Sequence, residues 1–116
     1  MYKEFQEKNT LDLGSVENIP MGEGRDFKIG DEEIAIFRSR NNKIYAVQAK
    51  CPHRNGYLSE GITGNGVLVC PFHSYKFDLA SGKPLGNDCQ SLQIYEVEIS
   101  EVGNILLVTD KEMLQL

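Results

Sequence analysis

A chain of 116 residues with a formal net charge of −5 has room for one hydrophobic core, which would bury roughly two-thirds of the unfolded surface, and no room for a second. That length excludes a two-domain enzyme, and the acidic balance has the wrong sign for affinity gained by neutralising phosphates or anionic lipid, so neither nucleic acid nor a membrane is an expected partner. No apolar run approaches the roughly 20 residues of a membrane span, and Met1 to Thr10 mixes Lys and Glu without the apolar stretch of a signal peptide. The expectation is a single cytoplasmic domain over 1–116.

Taken in chain order, Met1 to Lys8 carries a weak helical signal of a turn or two, and nothing after it holds a 3.6-residue period. Ile34 to Arg38 and Lys43 to Gln48 are rich in branched and aromatic residues, and Asn41-Asn42 between them tolerates positive φ, which predicts a hairpin. Gly66 to Cys70 follows the turn signal Thr63-Gly64-Asn65-Gly66, and Tyr75 to Leu79 precedes the turn Ala80-Ser81-Gly82-Lys83, a second hairpin-like unit. Leu92 to Ile99 alternates imperfectly and connects through Glu101-Val102-Gly103 to the apolar run Asn104 to Thr109, a third hairpin. Many short strands with Gly-containing turns predict an all-β fold, an antiparallel sandwich or small barrel.

The three cysteines are too few and odd in number for a disulfide scaffold. Both histidines of the chain lie beside a cysteine in matching settings, Cys51-Pro52-His53 and Cys70-Pro71-Phe72-His73. Each pair follows a predicted strand, and the proline after each cysteine stops the ladder and shapes a loop. Two loops that each offer a soft thiolate and an imidazole make a four-ligand metal site. A Cys2His2 structural zinc module is one reading, although zinc modules commonly group cysteines with cysteines and histidines with histidines, whereas each loop here is mixed. A [2Fe-2S] cluster in which two histidines replace two cysteines on one iron suits one Cys and one His from each loop. The plain alternative is two buried thiols and two surface histidines.

The segment from Cys51-Pro-His53 to Cys70-Pro-Phe-His73 resembles the Rieske C-x-H…C-x2-H signature. Ile34-Ala-Ile-Phe-Arg38, Tyr45-Ala-Val47, Leu58-Ser-Glu-Gly61, Phe77-Asp-Leu79 and Ser81-Gly-Lys83 extend the resemblance over nearly the whole chain. It implies a Rieske-type antiparallel β-sandwich or barrel with a small cluster-binding subdomain of two loops, at about 50–57 and 69–75. It also implies that Cys51 and Cys70 bind the buried iron and His53 and His73 the outer one. High-potential members of the family carry a further cysteine in each loop and Ser and Tyr donors after the second histidine. This chain has Gly56 and Phe72 in place of those cysteines, and Tyr75 and Phe77 in place of the Ser and Tyr. Ser74 also departs from the Gly-Trp that follows the second histidine in many soluble members. With neutral histidines, two ferric ions, two sulfides and two thiolates sum to zero charge, so an electron adds more easily than to an all-cysteine site. With fewer hydroxyl donors the potential is expected in the lower part of the roughly −150 to +300 mV span of such centres. Cys89 lies outside both loops and reads as a bystander thiol.

No G-x-G-x-x-G marks a nicotinamide or flavin site, and no histidine remains for a second metal centre, so the chain reads as an electron carrier and not as an enzyme by itself. Ile34 to Gly61 resembles the small subunit of NAD(P)H-dependent nitrite reductase, the partner system expected first. Cys89 to Val108 is similar to the ferredoxin of aromatic-ring dioxygenases, the alternative. Either implies an electron-donating reductase and a larger catalytic subunit as partners, docking around His53 and His73 near Arg54 and Tyr57, with the acidic surface steering encounter.

Overall fold

The computed structural model describes residues 9–52, 56–71 and 75–109, so the helical turn expected over Met1 to Lys8 lies outside the described residues. Eleven strands are found among them: β1 (Asn9–Ser15), β2 (Glu23–Ile29), β3 (Glu32–Arg38), β4 (Ile44–Gln48), β5 (Ile62–Gly64), β6 (Val67–Val69), β7 (Lys76–Asp78), β8 (Pro84–Leu85), β9 (Ile94–Tyr95), β10 (Val97–Ile99) and β11 (Asn104–Thr109). Every pairing is antiparallel, and the strands form three sheets ordered β1-β11-β10, β2-β3-β4-β9 and β5-β6-β7-β8. Two 3-10 turns, Val16–Asn18 and Leu58–Glu60, complete the regular structure described. The all-β antiparallel expectation holds, and no helix of the described residues is long and apolar enough to cross a membrane.

The middle sheet organises the rest because β3 is buried on both faces. Its unbroken run Ile34-Ala35-Ile36-Phe37 is what a strand between two cores requires, since successive side chains point to opposite sides. Ile34 and Ile36, with Ala46 of β4, pack against Ile105 and Leu107 of β11 and against Val16 and Ile19. Ala35 and Phe37, with Val47 directly across from Ala35, pack toward Leu68 and Phe77 of the third sheet and toward Cys51 and Cys70. One β-sheet thus separates a structural core from the core that contains the thiols. Fully burying a side chain such as Phe37 or Phe77 is worth roughly 1.5–3 kcal/mol, so both cores contribute substantially.

The predicted β3–β4 hairpin is present, with Asn42 at φ 65 in its turn. Arg38, at the end of β3, is buried, and its guanidinium donates to the Ile19 carbonyl at 2.9 Å, the Val16 carbonyl at 3.3 Å and Asn42 Oδ1 at 2.9 Å. A buried cation is tolerable there because its donors are used. The second turn is tighter than expected: Thr63 and Gly64 belong to β5, and Asn65 (φ 53) with Gly66 (φ 76) alone connects β5 to β6. Two consecutive positive φ values suit Asn-Gly in a two-residue hairpin loop.

Four strands, β1, β2 and the short β5 and β8, were not anticipated and one expected strand divides. β2 is an edge strand with Glu23 and Arg25 on one face and Asp26, beside Ser59, on the other, and its second residue, Gly24, has no side chain because the Phe37 ring lies there: a Cβ would sit 2.6 Å from Cε1. Together these hide the alternation. β1 pairs with β11, which closes the sheet over the structural core. The expected strand over Leu92 to Ile99 splits at Glu96: Ile94–Tyr95 adds to β4 in the middle sheet, whereas Val97–Ile99 pairs with β11 in the first sheet. Its imperfect alternation is the mark of a strand that changes sheets.

Candidate metal centre

The two loops begin at the ends of β4 and β6, and the same backbone device closes each. Cys51 N–H donates to the Gly56 carbonyl at 2.8 Å, and Cys70 N–H donates to the Tyr75 carbonyl at 2.7 Å, five residues on in both cases. A ladder pair flanks each closure, Lys50 with Tyr57 in the first loop and Val69 with Lys76 in the second. Proline after each cysteine has no N–H and biases the cysteine toward an extended backbone, so the chain leaves the ladder at equivalent points. The sequence match between the loops is therefore matched in backbone geometry.

This pairing of loops brings the two thiols together. Cys51 and Cys70 are each 1% exposed, they are not joined in a disulfide, and their sulfurs lie 3.6 Å apart. A disulfide would require about 2.05 Å. Two thiolates on one tetrahedral metal, at the roughly 2.3 Å typical of zinc–sulfur bonds, stand about 3.8 Å apart. The observed separation fits two sulfurs on a single metal ion. His53 and His73, with Arg54, Phe72 and Ser74, fall outside the described residues.

The walls around the thiols are apolar. Ala49, Leu58, Leu68, Phe77, Leu79 and Leu92 share their core, with Tyr45, Tyr57, Tyr75 and Cys89 packed at its margin. Such a shell limits water and lowers the local dielectric, one of the means by which a protein tunes a metal centre. Leu58 packs the first loop against the body: it is fully buried, and its N–H donates to the Ala49 carbonyl at 2.8 Å. Phe77, where high-potential relatives have tyrosine, is fully buried and offers no hydroxyl.

Sequence reasoning missed the support beneath the first loop. Tyr57 donates its hydroxyl hydrogen to Glu33 Oε2 at 2.9 Å, Lys50 Nζ is 3.6 Å from Glu33 Oε1, and the ammonium stands 5.4 Å from the Tyr57 ring centre. The Glu33 carboxylate, as acceptor of that bond, holds the Tyr57 phenol above its usual pKa. Glu33 lies on β3, 24 positions before Tyr57, and no local pattern announces that contact. Beside it, burial pushes the Asp26 carboxyl up against the opposing effect of Ser59, whose hydroxyl donates at 2.8 Å, and Glu33 and Glu60 add to the rise. Cys89, read as a bystander, is half-buried against the thiol core. Burial raises its pKa first, and the nearby Cys51 and Asp88 raise it further.

Three antiparallel sheets with a buried thiol pair held by two matched loops define a small β protein with a two-cysteine site suited to metal. Residues 9–96 match the Rieske [2Fe-2S] domain, and the chain belongs to that family; its cofactor is a Rieske-type [2Fe-2S] cluster. Ferredoxin CarAc of Metapseudomonas resinovorans is 31% identical over 86 residues, 73% of this chain and 78% of that protein. A chain in the complex of reduced oxygenase and oxidised ferredoxin of carbazole 1,9a-dioxygenase superposes with a TM-score of 0.75 at 28% identity, covering 85% of this chain and 92% of that one. A Mycobacterium tuberculosis protein described as an NADH-dependent nitrite reductase small subunit has a TM-score of 0.81 at 20% identity, covering 90% and 98%, a likeness of fold.

Proposed function

We propose that Cys51, His53, Cys70 and His73 hold the cluster and that the chain carries single electrons between a reductase and the catalytic component of a larger oxidoreductase. The 3.6 Å separation of two buried cysteine sulfurs, not joined in a disulfide, at the bases of matched loops is the observation that carries this reading. When bound, the cluster supplies reversible one-electron transfer. The chain's own residues do the rest: Cys51 and Cys70 take one metal ion, the apolar wall from Leu58 to Phe77 keeps water from it, and His53 and His73 are the neutral ligands that remove negative charge from the outer iron. A zinc module would accept the same residues but belongs to a different family. Three cysteines without a disulfide suit a reducing compartment, which supports the cytoplasm as the location.

Of the two partner systems, we favour an oxygenase. The support is the likeness to a chain of the oxygenase–ferredoxin complex of carbazole 1,9a-dioxygenase, at 28% identity over 85% of this chain. The resemblance of Ile34 to Gly61 to nitrite reductase small subunits supports the second reading. Stopped-flow re-oxidation of the reduced protein separates them: oxidation by a terminal oxygenase at a rate that sustains turnover, with none by a nitrite reductase large subunit, is the expected result. The reverse order would replace the first reading with the second.

A further inference from the structure

Acidic residues outnumber basic ones 17 to 12, yet one cleft is lined by cations and by no carboxylate among the described residues. It has a volume of about 640 Å³, within the range of small-molecule sites, and lies between the turn joining β3 to β4 and the turn joining β5 to β6. Half-buried Tyr45 supplies apolar surface over the buried Phe37 and Leu79, and Arg40, Lys43 and Asn65 stand around it. Neither Arg40 nor Lys43 has a carboxylate within ion-pair distance among the described residues.

The cations are carried by a fixed turn. Ser39 N–H donates to the Lys43 carbonyl at 2.8 Å, Lys43 N–H donates to Ser39 Oγ at 3.1 Å, and Asn42, whose side chain accepts from Arg38, donates its N–H to the Ser39 carbonyl at 3.0 Å. Arg40 lies across Gly22, where a Cβ would sit 3.3 Å from Nη2, and the Gly22 carbonyl accepts from Thr63 Oγ1 at 3.1 Å. Gly22 therefore joins the two walls and leaves room for the guanidinium. The thiols lie further along: β4 and β6 run from this end toward Cys51 and Cys70, and the four residue steps from Gly66 to Cys70 span about 13 Å.

We propose that this cleft is a second binding site, for a small organic anion with a flat apolar body. Its carboxylate meets Arg40, whose planar fork matches two oxygens, and Lys43, and its ring lies against Tyr45. The cleft borders the core that contains the thiols, through Phe37, Tyr45 and Leu79, and its lining includes none of the four candidate cluster ligands.

Benzoate is the probe, titrated to about 20 mM at constant ionic strength into the oxidised, cluster-loaded, 15N-labelled protein, where a Kd of order 1 mM suits so small a ligand. Saturable amide shifts are expected at Lys43, Asn65 and Gly66, with benzamide, the neutral isostere, binding at least about tenfold more weakly. The double variant Arg40→Gln, Lys43→Gln should lose benzoate affinity by about tenfold or more while keeping the wild-type melting temperature and reduction potential. Shifts that do not saturate, that map away from the cleft, that benzamide reproduces, or that persist unchanged in the double variant would overturn the proposal. So would shifts produced by a glutamate-rich peptide and not by benzoate, which would make the cleft a protein contact.

Discussion

Gly61 is the position where a single methyl group should disturb the cluster site through the backbone. Its φ of −80 is open to any residue, so alanine meets no conformational penalty there. The obstacle is steric: a Cβ would overlap the Val69 carbonyl oxygen and sit 3.1 Å from both the Leu58 carbonyl oxygen and Leu68 Cδ1. Regaining van der Waals contact requires the Val69 carbonyl to retreat by about 1 Å. That carbonyl shares its peptide plane with Cys70 N–H, the donor that closes the second loop on Tyr75. Gly61→Ala should therefore cost about 2–4 kcal/mol as overpacking and peptide strain, a fall of roughly 10–15 °C in melting temperature for a chain of this length. Release of the cluster to a chelator should quicken as well. Gly64→Ala, three residues on at the end of β5, is the control, since no heavy atom lies within 4 Å of the added Cβ, and it should be neutral or stabilising by up to about 1 kcal/mol. Urea unfolding of the loaded proteins, with visible absorbance to follow the cluster, measures both effects. If Gly61→Ala unfolds within about 0.5 kcal/mol of the parent, the reasoning from contact to strained peptide is wrong.

Phe77→Tyr adds a hydroxyl to the core that holds both thiols; a new hydrogen bond to sulfur of about 0.5–1.5 kcal/mol should raise the midpoint potential by roughly 20–65 mV in film voltammetry, and no rise in a stably folded variant would contradict the role given to missing donors. The parent itself should show a midpoint below about +150 mV. Arg38→Leu leaves the Val16 and Ile19 carbonyls without their buried donor and should cost about 2–4 kcal/mol by urea unfolding, with Arg38→Lys recovering only part of it. Burial holds the Asp26 pKa above its ordinary 3.8, so the folded state favours the protonated acid: its contribution to stability is complete below 3.8 and is lost as pH rises through the higher folded value. Asp26→Asn should accordingly raise the melting temperature at neutral pH and flatten its dependence on pH above 3.8, as calorimetry across that range would show.

What could be read from the residues follows from how local each signal is. The β3–β4 hairpin and the Asn65-Gly66 turn are announced by neighbours in sequence, and the four candidate ligands by spacing alone. β2 escaped notice because its defining contact is tertiary: Gly24 is glycine to admit a ring from the adjacent strand, and its charged residues face solvent from a sheet edge. The division at Glu96 arises because β4 and β11 compete for one stretch of chain, which no window over Leu92 to Ile99 contains. Within the site, the two loops are visible as repeated Cys-Pro-x-His-like pieces, and their shared closure by a bond five residues long was implicit in that repetition. The Glu33–Tyr57–Lys50 contact was not, since it depends on β3 passing under the first loop. Cys89 belongs to the same class: its position outside both loops is plain from sequence, whereas its packing against the thiol core depends on the loop after β8 folding back.

The central claim is a cluster with two thiolates on one iron and two imidazoles on the other, and nitrogen hyperfine spectroscopy of the dithionite-reduced protein tests it most directly. With the histidines alone labelled by 15N, the account predicts a rhombic signal with average g below the free-electron value and two strongly coupled nitrogens that change isotope with the label. A reduced cluster with no strongly coupled nitrogen, or a colourless protein that contains stoichiometric zinc and gives no signal, would contradict it.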